Sequence, residues 1–241
     1  MTFPLRRGFP AEAAADFFAF QNRGYPRTRA LEWVGDRYCL TRTERDALNR
    51  GVFGQAEALG RRSRMCLGAS WRSGLLAVDG HNVHITMESA ILGRAIVRAN
   101  DGALRDLAGL SARFRMTEAS LTAVDAICGF LRKYPPREVL FLFDAPMSHS
   151  GNLASAYSER LCSLGLAGDA RAVPVPEREF PYSVCTVAGS DRAVLGASVR
   201  WIDLAGWILD EAGVFVPALD FSRFILSADG RPEEASCPEG P

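Results

Sequence analysis

Three aspartates offer the first chemistry in this sequence of 241 residues. Each ends an apolar run: "LLAVDG" at Asp79, "VLFLFDA" at Asp144 and "VAGSD" at Asp191. A carboxylate at the end of a buried strand costs several kcal/mol if it has no partner. If the strands are parallel neighbours, their C-terminal ends share the edge at which open α/β sheets bind ligands. Carboxylates gathered there repel one another, and a divalent cation reconciles them. Carboxylate oxygens, with waters in the other positions, suit Mg²⁺ or Mn²⁺. Such an ion can activate water and stabilise in-line attack on a phosphate. The competing reading is local: an aspartate after a strand often caps the next helix or closes a turn. Asp191, beside Ser190 in "GSDRAVL", is placed for that as well.

The neighbouring residues divide in the same way. Asn82, three residues after Asp79, either orients a ligand or caps a helix. Asp203 in "WIDLAGW" is either a fourth metal ligand or another cap. Ser148, Ser150 and Asn152 in "MSHSGN" make a polar loop after Asp144, suited to a phosphate or to a turn. Asp101–Gly102 reads first as a turn, Asp106 falls in or beside a loop, and Asp125 reads as a solvated helix residue. His81, His84 and His149 lie near the same strand ends, but His81 and His84 fall in a segment that reads as irregular and lacks zinc-ligand spacing. No G-x-G-x-x-G, P-loop, G-x-S-x-G or D-x-D pattern supports dinucleotide, NTPase or serine-hydrolase chemistry.

The elements that must position these residues change character along the chain. Residues 10–60 read as helices. "PAEAAADFFAFQNRG" opens at Pro10 and stops at Gly24, and "TRALEWVGDRYCL" is a second helix. "TRTERDALNRGVF" opens on a cap at Thr41 or Thr43, with Glu44 in its first turn. "GRRSRMCLGASWRSG" reads as a linker or the edge of the next domain. From residue 74, apolar strands alternate with helices. "TEASLTAVDAICGFLRKY" aligns Leu121, Val124, Ile127, Cys128 and Leu131 on one helical face. "REVLFLFDA" is a continuous apolar strand, and "ARAVPV", with its prolines, belongs at a sheet edge. Strands apolar on both faces, separated by helices, predict a three-layer α/β sandwich around a mostly parallel sheet. The expected organisation is an arginine-rich helical domain at 1–66, an α/β domain at 67–228 and a disordered tail at 229–241.

Composition narrows the partners. Hydrophobic residues make up 48% of the chain, enough for a substantial core. Net charge is zero, but residues 1–72 hold 13 arginines against 7 acidic residues, leaving 15 basic against 21 acidic in the remainder. A basic segment beside an acidic one fits a polyanionic partner. Arg23, Arg27, Arg29, Arg37 and Arg50 are candidate backbone contacts, and Tyr25 or Tyr38 candidate stacking residues; surface salt bridges and core aromatics are the plainer alternative. Six cysteines without a C-x-x-C pair read as reduced residues of a cytoplasmic protein. "MTFPLRRGFP" lacks a signal core, and no apolar run approaches the roughly 20 residues that span a membrane.

"VDGHNV", "LFLFDAP" and "AGSDRAVL", in that order, resemble the PIN-like superfamily, especially its NYN branch. The whole chain, with "NRGYPRTRALEWVGDRYCLTRTERDALNRGVF" at 21–53, resembles a two-part prokaryotic family of unknown function. The resemblance implies a metal-dependent ribonuclease fold that often pairs as a homodimer. Asp79, Asp144 and Asp191 match the acidic positions, and Asp203 stands near the last one. The further carboxylate that many members carry before the second strand has Asp125 as its nearest counterpart, and the interval from Asp191 to Asp203 is short. The leading expectation is therefore a Mg²⁺- or Mn²⁺-dependent nuclease acting on RNA. Alternatives are a PIN-like module that binds nucleic acid or protein without catalysis, and a phosphate-handling enzyme for a small nucleotide.

Overall fold

The runs at 75–79 and 138–144 are apolar without alternation because both faces of their sheet are covered in the computed structural model. The structure describes residues 9–107, 115–214 and 218–225. The expected tail at 229–241 lies outside the described residues. The elements are α1 (Ala11–Asn22), α2 (Arg27–Arg37), α3 (Arg42–Gly51), α4 (Gln55–Arg62), β1 (Leu75–Asp79), α5 (Gly80–Ile91), β2 (Ile96–Arg98) and β3 (Leu104–Asp106). There follow α6 (Glu118–Lys133), β4 (Glu138–Asp144), α7 (Ser150–Ser163), β5 (Gly168–Val173), α8 (Pro176–Glu179), β6 (Cys185–Ala188), α9 (Arg192–Ala197), β7 (Trp201–Ile202), α10 (Leu204–Glu211) and β8 (Ala218–Asp220). No helix among the described residues is long and apolar enough to cross a membrane.

The chain divides into two compact units. Among the described residues the first takes 9–63, 97–102 and 218–225, and the second takes 64–96, 103–107 and 115–214. In the first unit α1 to α4 bury Phe17, Phe18, Val34, Leu48 and Ala58. Thr41 is the cap of α3: its Oγ1 accepts from the Glu44 N–H at 3.3 Å, while Glu44 Oε2 accepts from the Thr41 N–H at 2.7 Å. The segment read from residue 60 as a linker or the edge of the next domain begins inside α4, a helix of short, arginine-rich sequence, and the second unit does begin within that segment, at Arg64.

Asp101 lies at a turn, but it is fully buried rather than a solvated loop residue. Its Oδ2 accepts from Arg61 Nη1 at 2.8 Å; the Arg61 guanidinium also pairs with Glu57 and lies 4.5 Å over the Phe53 ring. The Asn100 amide ties three backbone groups together, accepting from the Phe53 N–H at 2.9 Å and donating to the carbonyls of Phe53 and Phe224 at 2.7 and 2.9 Å.

The second unit is built on a five-stranded sheet ordered β5-β4-β1-β6-β7, parallel at each pairing. Leu76 and Val78 of β1, with Val139, Phe141 and Phe143 of β4, join a core with α5, α6, α7 and α10. Ala77, Leu142 and Val187 point the other way, into a cluster with Val194 and Leu195 of α9. This is the doubly covered sheet expected, with β5 at its edge. Two expectations change. Leu121 is 53% exposed, and α6 buries Ser120 and Ala123 instead, beside Val124, Ile127, Cys128 and Leu131. The segment around His81 and His84 is not irregular: both histidines are fully buried in α5, which begins directly after Asp79. That helix is covered almost all round, so it lacks the polar face by which a surface helix is recognised in sequence. Gly80 permits it to start there, because a Cβ would lie 2.4 Å from the Phe143 ring.

The Arg61–Asp101 pair yields a stability prediction. Replacing Asp101 with asparagine leaves the buried guanidinium with less compensating charge, and urea denaturation should register a loss of about 3–5 kcal/mol. A loss below about 1 kcal/mol would show that Glu57 alone satisfies Arg61.

Candidate functional site

Strand register decides which carboxylates meet. β1 runs between β4 and β6, with Asp79 opposite Leu142 and Val78 opposite Ala188. Asp144 ends β4 two residues beyond that level, and Asp191 follows β6 on the other side of β1. The chain winds outward from β1 to β4 and β5, then reverses to add β6 and β7. The reversal lies between β1 and β6, and doubly wound sheets bind ligands outside the strand ends at such a point. Gly189 brings the two strand ends close, since a Cβ there would lie 2.9 Å from Asp79 Cβ.

Asp79 is the recessed member, only 4% exposed. Its Oδ2 accepts from Asn82 Nδ2 at 2.6 Å, and its Oδ1 takes a longer bond, 3.4 Å, from the Asn82 N–H. Burial, then the charge of Asp191, pushes the Asp79 carboxyl up to about 7; Asn82 pulls against this and Asp144 adds to it. The three carboxylates therefore share one electrostatic neighbourhood. Asp79, Asp191 and Asp203 also cap the helices that follow them, so the caps expected from the sequence are present. Asp191 Oδ1 accepts from the N–H groups of Ala193 and Val194 at 2.7 and 3.0 Å. Asp203 follows β7, one strand further out, and its Oδ1 accepts from the Gly206 N–H at 3.3 Å in α10.

Three further residues belong to the surroundings of this edge: His81, which the sequence already places near the strand ends, and Arg105 and Tyr182, which it does not single out. His81 Nδ1 accepts the Asp144 backbone N–H at 3.0 Å and lies 3.3 Å from Asp144 Oδ2. That bond assigns the imidazole proton to Nε2. The ring stands edge-on to Phe143, at 5.3 Å between centroids. Arg105 Nε donates to the Ser190 carbonyl at 2.7 Å, both residues being buried, and so holds the turn that carries Asp191. The Tyr182 phenol, pushed up to about 12 by burial, then by Glu177, Asp79 and Asp191, lies within electrostatic reach of the edge. His81 had a readable position but no motif; Arg105 sits on a strand of three residues, and Tyr182 in a connection, so neither had a signal. His84 lies deeper. Burial, then His81, lowers it to about 3, which keeps it neutral, with Nδ1 3.0 Å from Tyr157 Oη.

The other candidates separate by exposure. Ser148 and Asn152 are exposed beyond Asp144, whereas Ser150 is buried, its Oγ donating to the Ala145 carbonyl at 3.2 Å. Asp106 is buried as the last residue of β3, beside the loop that follows, and Asp125 is exposed and paired with Arg160 at 2.9 Å. In the first unit Arg27 is committed to structure: it bonds Asn49 Oδ1 at 2.9 Å and lies over the rings of Phe17 and Phe53. Tyr38 donates to Asp16 at 2.8 Å. Arg29 pairs with Glu32 and Arg37 with Asp16 at the surface, Arg23 is exposed and Arg50 half-buried.

Two predictions follow from Asp79 and His81. The unfolded chain loses the Asp79 proton near the usual value of about 3.9, whereas the native protein holds it to about 7. Stability from this group is thus full below that window and declines as pH rises through it. Relative to wild type, Asp79→Asn should gain on the order of a few kcal/mol in urea denaturation between pH ~4 and pH ~8; a constant difference would remove the buried-charge account. For His81, the Asp144 amide should be protected from hydrogen exchange in wild type. His81→Asn keeps an acceptor near Nδ1 and should keep that protection, while His81→Gln should lose it; equal protection in both would show the bond to be dispensable.

The chain consists of two regions similar to known families. Residues 11–64 match a protein of unknown function (DUF434), and residues 69–207 a domain of unknown function (DUF5616). The uncharacterized protein MJ0935 of Methanocaldococcus jannaschii is 27% identical over 184 residues, which cover 76% of this chain and 88% of that protein. No solved structure matches. The second region holds Asp79, Asp144, Asp191 and Asp203 and spans more than half of the chain, and the protein accordingly belongs to the DUF5616 family.

Proposed function

We propose that this protein is a Mg²⁺- or Mn²⁺-dependent nuclease of PIN-like, NYN-branch fold that cleaves RNA at the edge formed by Asp79, Asp144 and Asp191. The observation that carries the reading is the buried Asp79 carboxyl, raised to about 7 by burial and by the two flanking carboxylates at the sheet's reversal point. An anion so placed calls for a counter-charge. Among the described residues no group of three or more His, Cys, Asp or Glu stands ready to hold a metal ion. Mg²⁺ does not require one, since it is commonly held by one or two carboxylates, waters and substrate phosphate. In that mode one or two of Asp79, Asp144 and Asp191 would supply the protein's oxygen donors. The bound cation would supply water activation and offset charge on the phosphodiester.

The chain's own residues set the arrangement. Asn82 orients Asp79, and the first turn of α9 fixes one oxygen of Asp191. His81 holds the end of β4, so that Asp144, 32% exposed, faces outward. Ser148 and Asn152 lie exposed where a substrate phosphate would approach, while Ser150 and Ser190 are buried and shape the loops. Asp203 would act on the site only through the packing of α10.

A second reading, a PIN-like binding module without catalysis, is favoured by the same local bonds, because carboxylates occupied by backbone amides have less to give a metal. The two separate on incubation of the full chain with end-labelled single-stranded RNA, with and without Mn²⁺. The nuclease reading expects cation-dependent cleavage that falls about a hundredfold or more in Asp144→Asn. RNA binding without cleavage would establish the second reading. Hydrolysis of nucleotides but not RNA would replace both with a nucleotide-directed enzyme.

A further inference from the structure

Helix α2 carries Arg29, Trp33 and Arg37 at successive intervals of four, so the three side chains follow one stripe of its surface. Trp33 is 49% exposed, and the two arginine side chains are 67% and 72% exposed. Trp33 belongs to a small cluster: its ring lies 5.9 Å from that of Tyr25 and 5.8 Å from that of Phe20, and the latter two lie 5.2 Å apart. Phe20 is half-buried and seats the cluster, while Tyr25 is 43% exposed. The interior face of the same helix is supplied by Ala30 and Val34, so the stripe is additional to the core.

The character of the stripe selects its occupant. Aromatic rings set among arginines occur at protein-binding hot spots as well as on single-strand platforms, so the choice of occupant rests on the charge of the face. Here they alternate with guanidinium groups, and Arg23 is exposed two residues before Tyr25. Arg29 and Arg37 are paired with Glu32 and Asp16, at 2.8 and 3.6 Å, but both pairs are exposed. Exposed pairs contribute little, so each arginine can exchange its carboxylate for a phosphate at small cost. The described residues of the first unit hold 11 arginines against 9 acidic residues, a small excess of the same sign. Arg27 is excluded by its bonds to Asn49 and its place over Phe17 and Phe53.

We infer that the Tyr25–Trp33 face of α2 is a stacking platform for single-stranded nucleic acid, with bases on the two rings and phosphates on Arg23, Arg29 and Arg37. Stacking tolerates any base, and phosphate contacts carry no sequence information, so the platform binds without strong sequence preference. The inference takes the nucleic-acid partner from the proposed function but does not require catalysis.

The test uses the full chain in EDTA, so that binding is read without cleavage, with fluorescein-labelled oligo(U) and oligo(dT) of about twelve nucleotides, a length within the usual site sizes. Anisotropy should show binding to wild type. Trp33→Ala should weaken it by about fivefold to a hundredfold, the range for losing one stacked base, while Trp33→Phe keeps most of it. The salt slope should be unchanged in Trp33→Ala and should fall by about one in Arg29→Gln or Arg37→Gln. Comparable affinity for both oligonucleotides, or preference for oligo(U), supports the platform. Unchanged affinity in Trp33→Ala overturns it, as does absence of binding by wild type. Self-association abolished by Trp33→Ala, without oligonucleotide affinity, would also overturn it by making the stripe a protein interface. Binding in EDTA without cleavage in Mn²⁺ would sink the nuclease reading alone; cleavage with affinity indifferent to Trp33 would sink the platform alone.

Discussion

Asp79 ends the central strand of a parallel sheet, flanked on both sides by other strand ends, and must keep its carboxyl group almost out of water. Much around it answers that constraint. Burial alone favours the protonated form, and the carboxylates beyond the adjacent strand ends favour it further. Asn82 opposes both with a short side-chain bond, and its backbone N–H is capped by Asp79 at the start of α5. The close approach of neighbouring backbone then restricts residue choice. Gly80 leaves space for the Phe143 ring, and Gly189 leaves space for Asp79 itself.

The flanking carboxylates are held by different means. Asp191 is fixed by the helix it caps, and its turn by a buried arginine that reaches the Ser190 carbonyl. Asp144 is fixed through its backbone amide, by an imidazole that is itself locked against Phe143. Both groups stay partly exposed, so each is tethered without being withdrawn from water. A recessed carboxyl that holds its proton up to about 7 beside outer carboxylates is electrostatically unbalanced once it ionises. That imbalance makes the edge chemically informative where separate caps would not be.

The first unit solves a different burial problem. Arg61 and Asp101 are both withdrawn from water, and their pairing is supported by Glu57 and by the Phe53 ring. Asn100 supplies backbone bonds to segments distant in sequence. These polar groups specify where residues 97–102 and 218–225 return to the helical unit, a return that the order of the chain does not reveal. The outer face of α2 has no such task, which leaves its aromatic and cationic residues free of the core.

Local pattern alone determined a good deal. The covered parallel sheet was legible because β1 and β4 are apolar on both faces, and β5 read as an edge because prolines follow it. The three aspartates stood out because each ends such a run, and the Thr41 capping box follows from residues three apart. Other features depend on residues distant in sequence. Helix α5 was misread around His81 because a helix covered on nearly every side has no amphipathic period. Asp101 lies at the turn its sequence suggests, but its burial was not legible because its partner Arg61 lies forty positions earlier. Arg105 and Tyr182 gave no signal, since their places near the acidic edge come from strand order and packing rather than from neighbours in the chain. Sequence records what each short segment prefers, but which charged groups face one another, and how far their protons are shifted, is decided only when the sheet closes and excludes water.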